Sequence, residues 1–110
     1  MAKNALSLLL MLSLLGVVAY ANNEQSQKQA DNYCIARLNA GKDALLQFLN
    51  FACAQIDCNP IQPGGLCFEP TTIISHGSYA LDAFFRKTGS CNSLGRLQSS
   101  DPSYAKCRYP

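Results

Sequence analysis

The thirteen residues from Cys58 to Pro70, CNPIQPGGLCFEP, hold two cysteines, three prolines and a Gly-Gly pair. Proline lacks a backbone donor and fixes φ, while glycine permits sharp turns, so this stretch is neither a helix nor a central strand. It reads as a rigid loop held by disulfides. A surface ordered in advance loses less entropy when it binds something.

The six cysteines all lie downstream of residues 1–21. That leading segment has the marks of a secretory signal. Lys3 supplies the positive start, and an apolar run from Ala5 to Val18 is broken only by Ser7, Ser13 and Gly16. Ala19-Tyr20-Ala21 then gives a small-x-small cleavage site, predicting a cut before Asn22. The run falls short of the ~20 apolar residues of a membrane span. An even cysteine count in a short secreted chain points to three disulfides, which compensate for a core that one small domain cannot make large. The residues by themselves leave many pairings open.

Loss of Lys3 with the signal lowers the formal net charge of +2 by one. This near-neutral balance argues against a nucleic-acid binder, which calls for a concentrated basic patch, and against a strongly cationic, membrane-active peptide. The C-terminal SYAKCRYP is polar and offers no hydrophobic tail for a glycolipid anchor. Asn92-Ser93 is followed by Leu94, so no N-glycosylation site is expected there or elsewhere.

Residues 22–32 are polar and aperiodic and read as a flexible lead to a single domain over residues 33–110. Tyr33 opens a β-type segment, YCIARL. Leu45, Phe48, Leu49 and Ala52 repeat at helical spacing and predict a first helix from about Lys42 to Cys53, with Asp43 suited to its first turn. Leu46 and Phe51 fall off its apolar face. A second helix is predicted from Pro70 or Thr71, with Glu69 at its positive end, to a C-cap at Gly89. Its apolar stripes are Ile73, Gly77, Ala80, Phe84 and Ile74, Ser78, Leu81, Phe85. Beyond Ser90 the chain is rich in turns, with RLQS and the last residues as candidate short strands.

Five segments then fall into a pattern: YCIA (Tyr33–Ala36), ALLQFLNFAC (Ala44–Cys53), DCNPIQPGGLCFEP (Asp57–Pro70), HGSYALDAFF (His76–Phe85) and DPSYAKCRYP (Asp101–Pro110). Together they resemble carbohydrate-binding module family 43, cysteine-rich domains appended to plant β-1,3-glucanases and also found alone. The resemblance spans essentially all of residues 33–110, and its Pro-Gly-Cys-Phe-Glu-Pro core is specific. It implies a small disulfide-rich α+β fold with two packed helices, a small antiparallel sheet and long ordered loops. It also implies the pairing Cys34–Cys91, Cys53–Cys58 and Cys67–Cys107. The implied function is binding of β-1,3-glucan, the polymer of callose, in the plant cell wall and without hydrolysis. Three departures stand out. Tyr33 replaces a usual Trp, Phe84-Phe85 replaces a tyrosine pair, and the Cys53-to-Cys58 gap is short.

A sugar site needs an aromatic plate for the C–H face of the ring and polar groups for its hydroxyls. The candidates are Phe68, Glu69, Tyr79, Tyr104 and Tyr109. Phe68-Glu69 reads either as a ring and carboxylate facing sugar or as a core ring beside a helix-start acid. Tyr79 reads either as a half-exposed platform or as a structural phenol bonded to a loop. Tyr104 and Tyr109 lie in loops, where ligand contacts concentrate. Phe48, Phe84 and Phe85 have core spacing. His76 is the only histidine, and the cysteine spacing lacks paired C-x-x-C, so neither a metal nor a cofactor is expected. A glycosidase needs two carboxylates about 5–10 Å apart across a cleft. Asp57 and Glu69 are the conceivable pair, but the chain's acids read better as turn and cap residues. No enzyme is expected, and the module should act as a monomer. The competing reading is a disulfide-stapled protein-binding or defence peptide on the same scaffold.

Overall fold

The computed structural model describes residues 32–110. The signal segment and all but the last residue of the polar lead lie outside them. The elements run β1 (Tyr33–Ala36), α1 (Lys42–Ala52), a single 3-10 turn (Asn59–Ile61), α2 (Ile73–Thr88) and β2 (Gly95–Gln98). This is the expected α+β arrangement, with loops making up most of the remainder.

The 3.6-residue period places Leu45, Phe48 and Ala52 of α1 in the core, and leaves Leu46 and Phe51 exposed. α1 stops at Ala52, one residue short of the expected end, because Cys53 serves as its cap. The start of α2 differs more. Neither Pro70 nor Thr71 is helical. Thr72 stays extended and its Oγ1 accepts the Ser75 N–H at 3.1 Å, so the helix begins at Ile73. A capping hydroxyl fixes this terminus, and Pro70 remains in the loop, where the Glu69–Pro70 bond is cis. At the other end Gly89 takes the left-handed conformation (φ 78°) and its N–H reaches Phe85 O at 2.7 Å, the C-cap that the sequence predicts.

The two helices approach closely at Gly77, where a Cβ would sit 3.1 Å from Leu45 Cδ2. Leu45, Phe48, Ala80, Leu81 and Phe85 close over Cys34 and Ala36 to form one core cluster. Phe84, expected in that core, is half-buried at its rim, edge-on to Phe48 and Phe51 at 5.6 Å from each. A second cluster gathers Cys58, Ile61, Cys67, Tyr79 and Cys107 under the central loop.

β1 and β2 pair antiparallel, with Tyr33 opposite Gln98 and Ala36 opposite Gly95. The N–H groups of Cys34 and Ala36 point away from β2 and bond to α2 instead. Asp82 Oδ1 accepts the first at 2.9 Å, and Ser78 Oγ accepts the second at 3.0 Å. Four helical residues rise about 6 Å and two strand residues about 6.8 Å, so side chains at i and i+4 match alternate strand donors. α2 thereby covers an edge that would otherwise be open. The last residues form a single bridge, Tyr104 to Cys107, rather than a further strand. All three disulfides have the pairing that the resemblance implies: Cys34–Cys91, Cys53–Cys58 and Cys67–Cys107.

Candidate functional site

The loop that dominates the sequence is built by its own backbone. Cys67 N–H donates to Pro60 O at 2.8 Å, Gly65 N–H to Gln62 O at 2.8 Å, and Phe68 N–H to Gly65 O at 3.2 Å. Gly65 is required there, because a Cβ would run into the Asn59 and Pro60 carbonyl oxygens. The Cys67–Cys107 disulfide then brings the C-terminal turn alongside. In that turn Tyr104 and Cys107 exchange backbone hydrogen bonds of 3.1 and 2.8 Å, and Ala105 takes a positive φ of 49°.

Between these walls lies an open cleft of about 700 Å³. The loop contributes Gly65, Leu66, Glu69 and Pro70, and the turn contributes Tyr104, Ala105 and Lys106. Tyr104 ties the walls together. Its phenol donates to Glu69 O at 2.7 Å, and Ser75 Oγ, 3.4 Å away, is oriented to donate to it in turn. With its hydroxyl so engaged, Tyr104 presents its ring. Leu66, 65 % exposed, and Pro70 add apolar surface, while the Glu69 carboxylate and Lys106 ammonium supply an acceptor and a donor. Apolar faces with a few polar groups form the lining that binding of a small molecule or a sugar requires.

The five candidates separate into layers. Glu69 and Tyr104 line the cleft. Phe68 lies behind Glu69, with its ring 5.6 Å from that of His76 and its carbonyl 2.7 Å from His76 Nε2. A carbonyl only accepts, so Nε2 carries a proton. Tyr79 is 8 % exposed and packs edge-on against Tyr109 at 5.5 Å. Burial pushes both phenols above the ordinary tyrosine range, aided at Tyr79 by Asp57 and Asp82 and at Tyr109 by Tyr104, Asp82 and Tyr79. These two rings back the cleft wall instead of lining it. Ser103 anchors the turn by bonding Tyr109 N–H through its Oγ at 2.9 Å. Its own N–H goes to Asp101 Oδ1 at 2.9 Å, and the Ser103 hydroxyl and N–H hold the Asp101 carboxyl below the usual range.

The cleft does not bring a carboxylate pair together. Among the described residues Glu69 is the one acid lining it, and Asp57 instead accepts the Asn59 N–H at 2.9 Å in a local turn. Sequence reasoning missed Leu66, Pro70 and Lys106 as lining residues, since it sought aromatic rings and carboxylates, and a leucine, a proline and a lysine in loops carry no such signal. It also read Asp82 as a turn or cap acid. Asp82 lies inside α2, fully buried, and serves as the acceptor for β1.

Fold and cleft together define a disulfide-stapled α+β module with an open, ligand-sized cleft beside its central loop. Residues 32–96 match the X8 domain, and the chain belongs to that family, carbohydrate-binding module family 43. It is 37 % identical over 90 residues to a glucan endo-1,3-beta-D-glucosidase of Olea europaea, covering 76 % of this chain and 20 % of the relative. A glucan endo-1,3-beta-glucosidase of Triticum aestivum is 39 % identical, covering 70 % of this chain and 18 % of its own length. Plasmodesmata callose-binding protein 2 of Arabidopsis thaliana is 37 % identical, covering 72 % and 44 % respectively. The chain thus matches a fifth or less of the two glucosidases and under half of the callose-binding protein.

Proposed function

We propose that this chain is a secreted, non-catalytic module that binds β-1,3-glucan of the callose type, acting as a monomer in the plant cell wall. The observation that carries the reading is the cleft between the disulfide-linked loop and turn, in a chain whose relatives are named for callose and 1,3-β-glucan. Tyr104 offers a ring face to the sugar, Leu66 and Pro70 extend that face, and Glu69 and Lys106 meet hydroxyls. Phe68, Tyr79 and Tyr109 hold the walls in place from behind. A single carboxylate at the cleft among the described residues supports binding without hydrolysis, since acid and nucleophile or base would both be needed. The signal segment and three disulfides support secretion.

The test is retention of oxidised residues 22–110 on insoluble β-1,3-glucan, beside cellulose, chitin and xylan. The oxidised protein should be held by β-1,3-glucan selectively, while reduced protein and Tyr104→Ala should pass through. Failure of the oxidised wild type to bind any of these polymers would sink the proposal and turn attention to protein ligands.

A further inference from the structure

A second groove, of about 230 Å³, lies between α1 and the central loop. Leu46, Leu49 and Asn50 of α1 line it, with Ile61 and Gln62 of the loop and His76 of α2. Its composition repeats that of the cleft on a smaller scale. Leu46, 51 % exposed, presents apolar surface to water. Asn50 and Gln62 are also exposed, and among the described residues neither side-chain amide has a hydrogen-bond partner. Each amide offers a carbonyl acceptor and an NH₂ donor, the complement of a sugar hydroxyl that both donates and accepts.

The groove and the cleft share one rigid strap. His76 lines the groove and holds Phe68 by a 2.7 Å hydrogen bond and a ring contact, and Phe68 is covalently next to Glu69 of the cleft. Gln62 lines the groove, and its carbonyl accepts the N–H of Gly65, which lines the cleft. The volumes differ in a useful way. The cleft falls within the roughly 300–1,000 Å³ of sites for larger ligands, and the groove falls below it, with room for a single ring.

We propose that this groove is a separate subsite for the same polymer. It takes one further pyranose ring, with Leu46 against the ring face and Asn50 and Gln62 on its hydroxyls. The proposal rests on the glucan reading of the cleft. Its consequence is that the module distinguishes long chains from short ones, because only a long chain fills both places.

The experiment is titration of the oxidised protein with β-1,3-linked glucose oligosaccharides, from the disaccharide to the heptasaccharide. Wild type, Asn50→Ala/Gln62→Ala, Leu46→Ser and Tyr104→Ala are compared, each first shown to melt cooperatively. Wild-type affinity should step up by about tenfold once the chain reaches the groove, the gain expected from two neutral hydrogen bonds. Asn50→Ala/Gln62→Ala should lose that step and keep short-chain affinity, and Leu46→Ser should blunt it. Tyr104→Ala should weaken every length. If the double variant matches wild type at all lengths, or weakens all lengths equally, the subsite is overturned. A wild type with no length step, whose binding Tyr104→Ala still removes, overturns the subsite alone. A wild type that binds no oligosaccharide overturns the glucan reading and the subsite with it.

Discussion

Asp82 carries two unequal oxygens. Oδ1 accepts the Cys34 N–H at 2.9 Å, while Oδ2 has no hydrogen-bond partner and faces Arg86 Nε only at 3.9 Å. Burial raises its carboxyl above the ordinary aspartate value, against the lowering pull of the Cys34 N–H and Arg86 and with a small push from Asp101. A carboxyl whose folded value is raised binds its proton more tightly in the native state. Its contribution to stability is therefore complete below the unfolded value of about 3.9 and is lost as pH climbs through the raised one. Asp82→Asn keeps the acceptor for Cys34 and puts a neutral NH₂ where Oδ2 stands. The melting temperature of Asp82→Asn minus that of wild type should rise from about pH 4 towards neutrality, and a flat difference would refute the assignment. Asp82→Ala leaves the Cys34 N–H bare and should cost about 1–3 kcal/mol in urea unfolding. Tyr104 separates a hydroxyl role from a ring role in the same spirit. Tyr104→Phe removes the bond to Glu69 O, worth about 1 kcal/mol of stability. It keeps the ring, so it should retain measurable β-1,3-glucan binding where Tyr104→Ala does not.

The α2 N-terminus touches one wall of the cleft through the Ser75 contact to the Tyr104 hydroxyl, and Thr72 defines where that helix begins. Thr72→Ala should lower unfolding free energy by about 1 kcal/mol, the usual loss for a capping hydroxyl, as measured by chemical denaturation. Thr72→Ser should restore most of it. This terminus also shows where sequence reading reached its limit. Pro70 and Glu69 are good helix-start residues, yet the loop claims them, because Tyr104 bonds Glu69 O and both residues face the cleft. A local pattern cannot register that competition. The helix faces themselves were legible, since Leu45, Phe48 and Ala52 in α1, with Ala80, Leu81 and Phe85 in α2, follow a period that packing enforces. The strand pair was legible as two β-type segments, but its docking was not. That docking depends on Ser78 and Asp82 meeting alternate donors of a strand more than forty residues away. Of the site, the proline, glycine and cysteine pattern located the loop, and the chemistry of sugar recognition nominated the aromatic candidates. Which aromatics face outward depended on tertiary burial, and that placed Tyr104 at the cleft and Tyr79 beneath it.

The three disulfides divide the work of holding the molecule together unequally. Cys53–Cys58 closes a separation of 5 residues, Cys67–Cys107 one of 40 and Cys34–Cys91 one of 57. In the chain-entropy treatment these correspond to about 2 kcal/mol for the short link and about 4 kcal/mol for each long one. Domains of this size have only about 5–15 kcal/mol in total, so either long link is a large fraction. Their positions differ as well. Cys34–Cys91 ties β1 to the segment after α2, and Gly95 packs so tightly there that a Cβ would lie 2.7 Å from Cys34 Sγ. Of the three disulfides, Cys67–Cys107 is the one that joins the two walls of the cleft. Removing the short link by Cys53→Ser/Cys58→Ser should leave a folded protein of reduced stability that β-1,3-glucan still retains. Removing Cys67→Ser/Cys107→Ser should release the turn bearing Tyr104, Ala105 and Lys106. The Tyr104–Glu69 bond, worth about 1 kcal/mol, cannot replace a constraint of about 4 kcal/mol. Its glucan retention should disappear even below the melting transition, where circular dichroism still reports both helices. Undiminished retention by that variant would show that the sugar does not need the two walls held together, and the cleft would lose its claim to be the site.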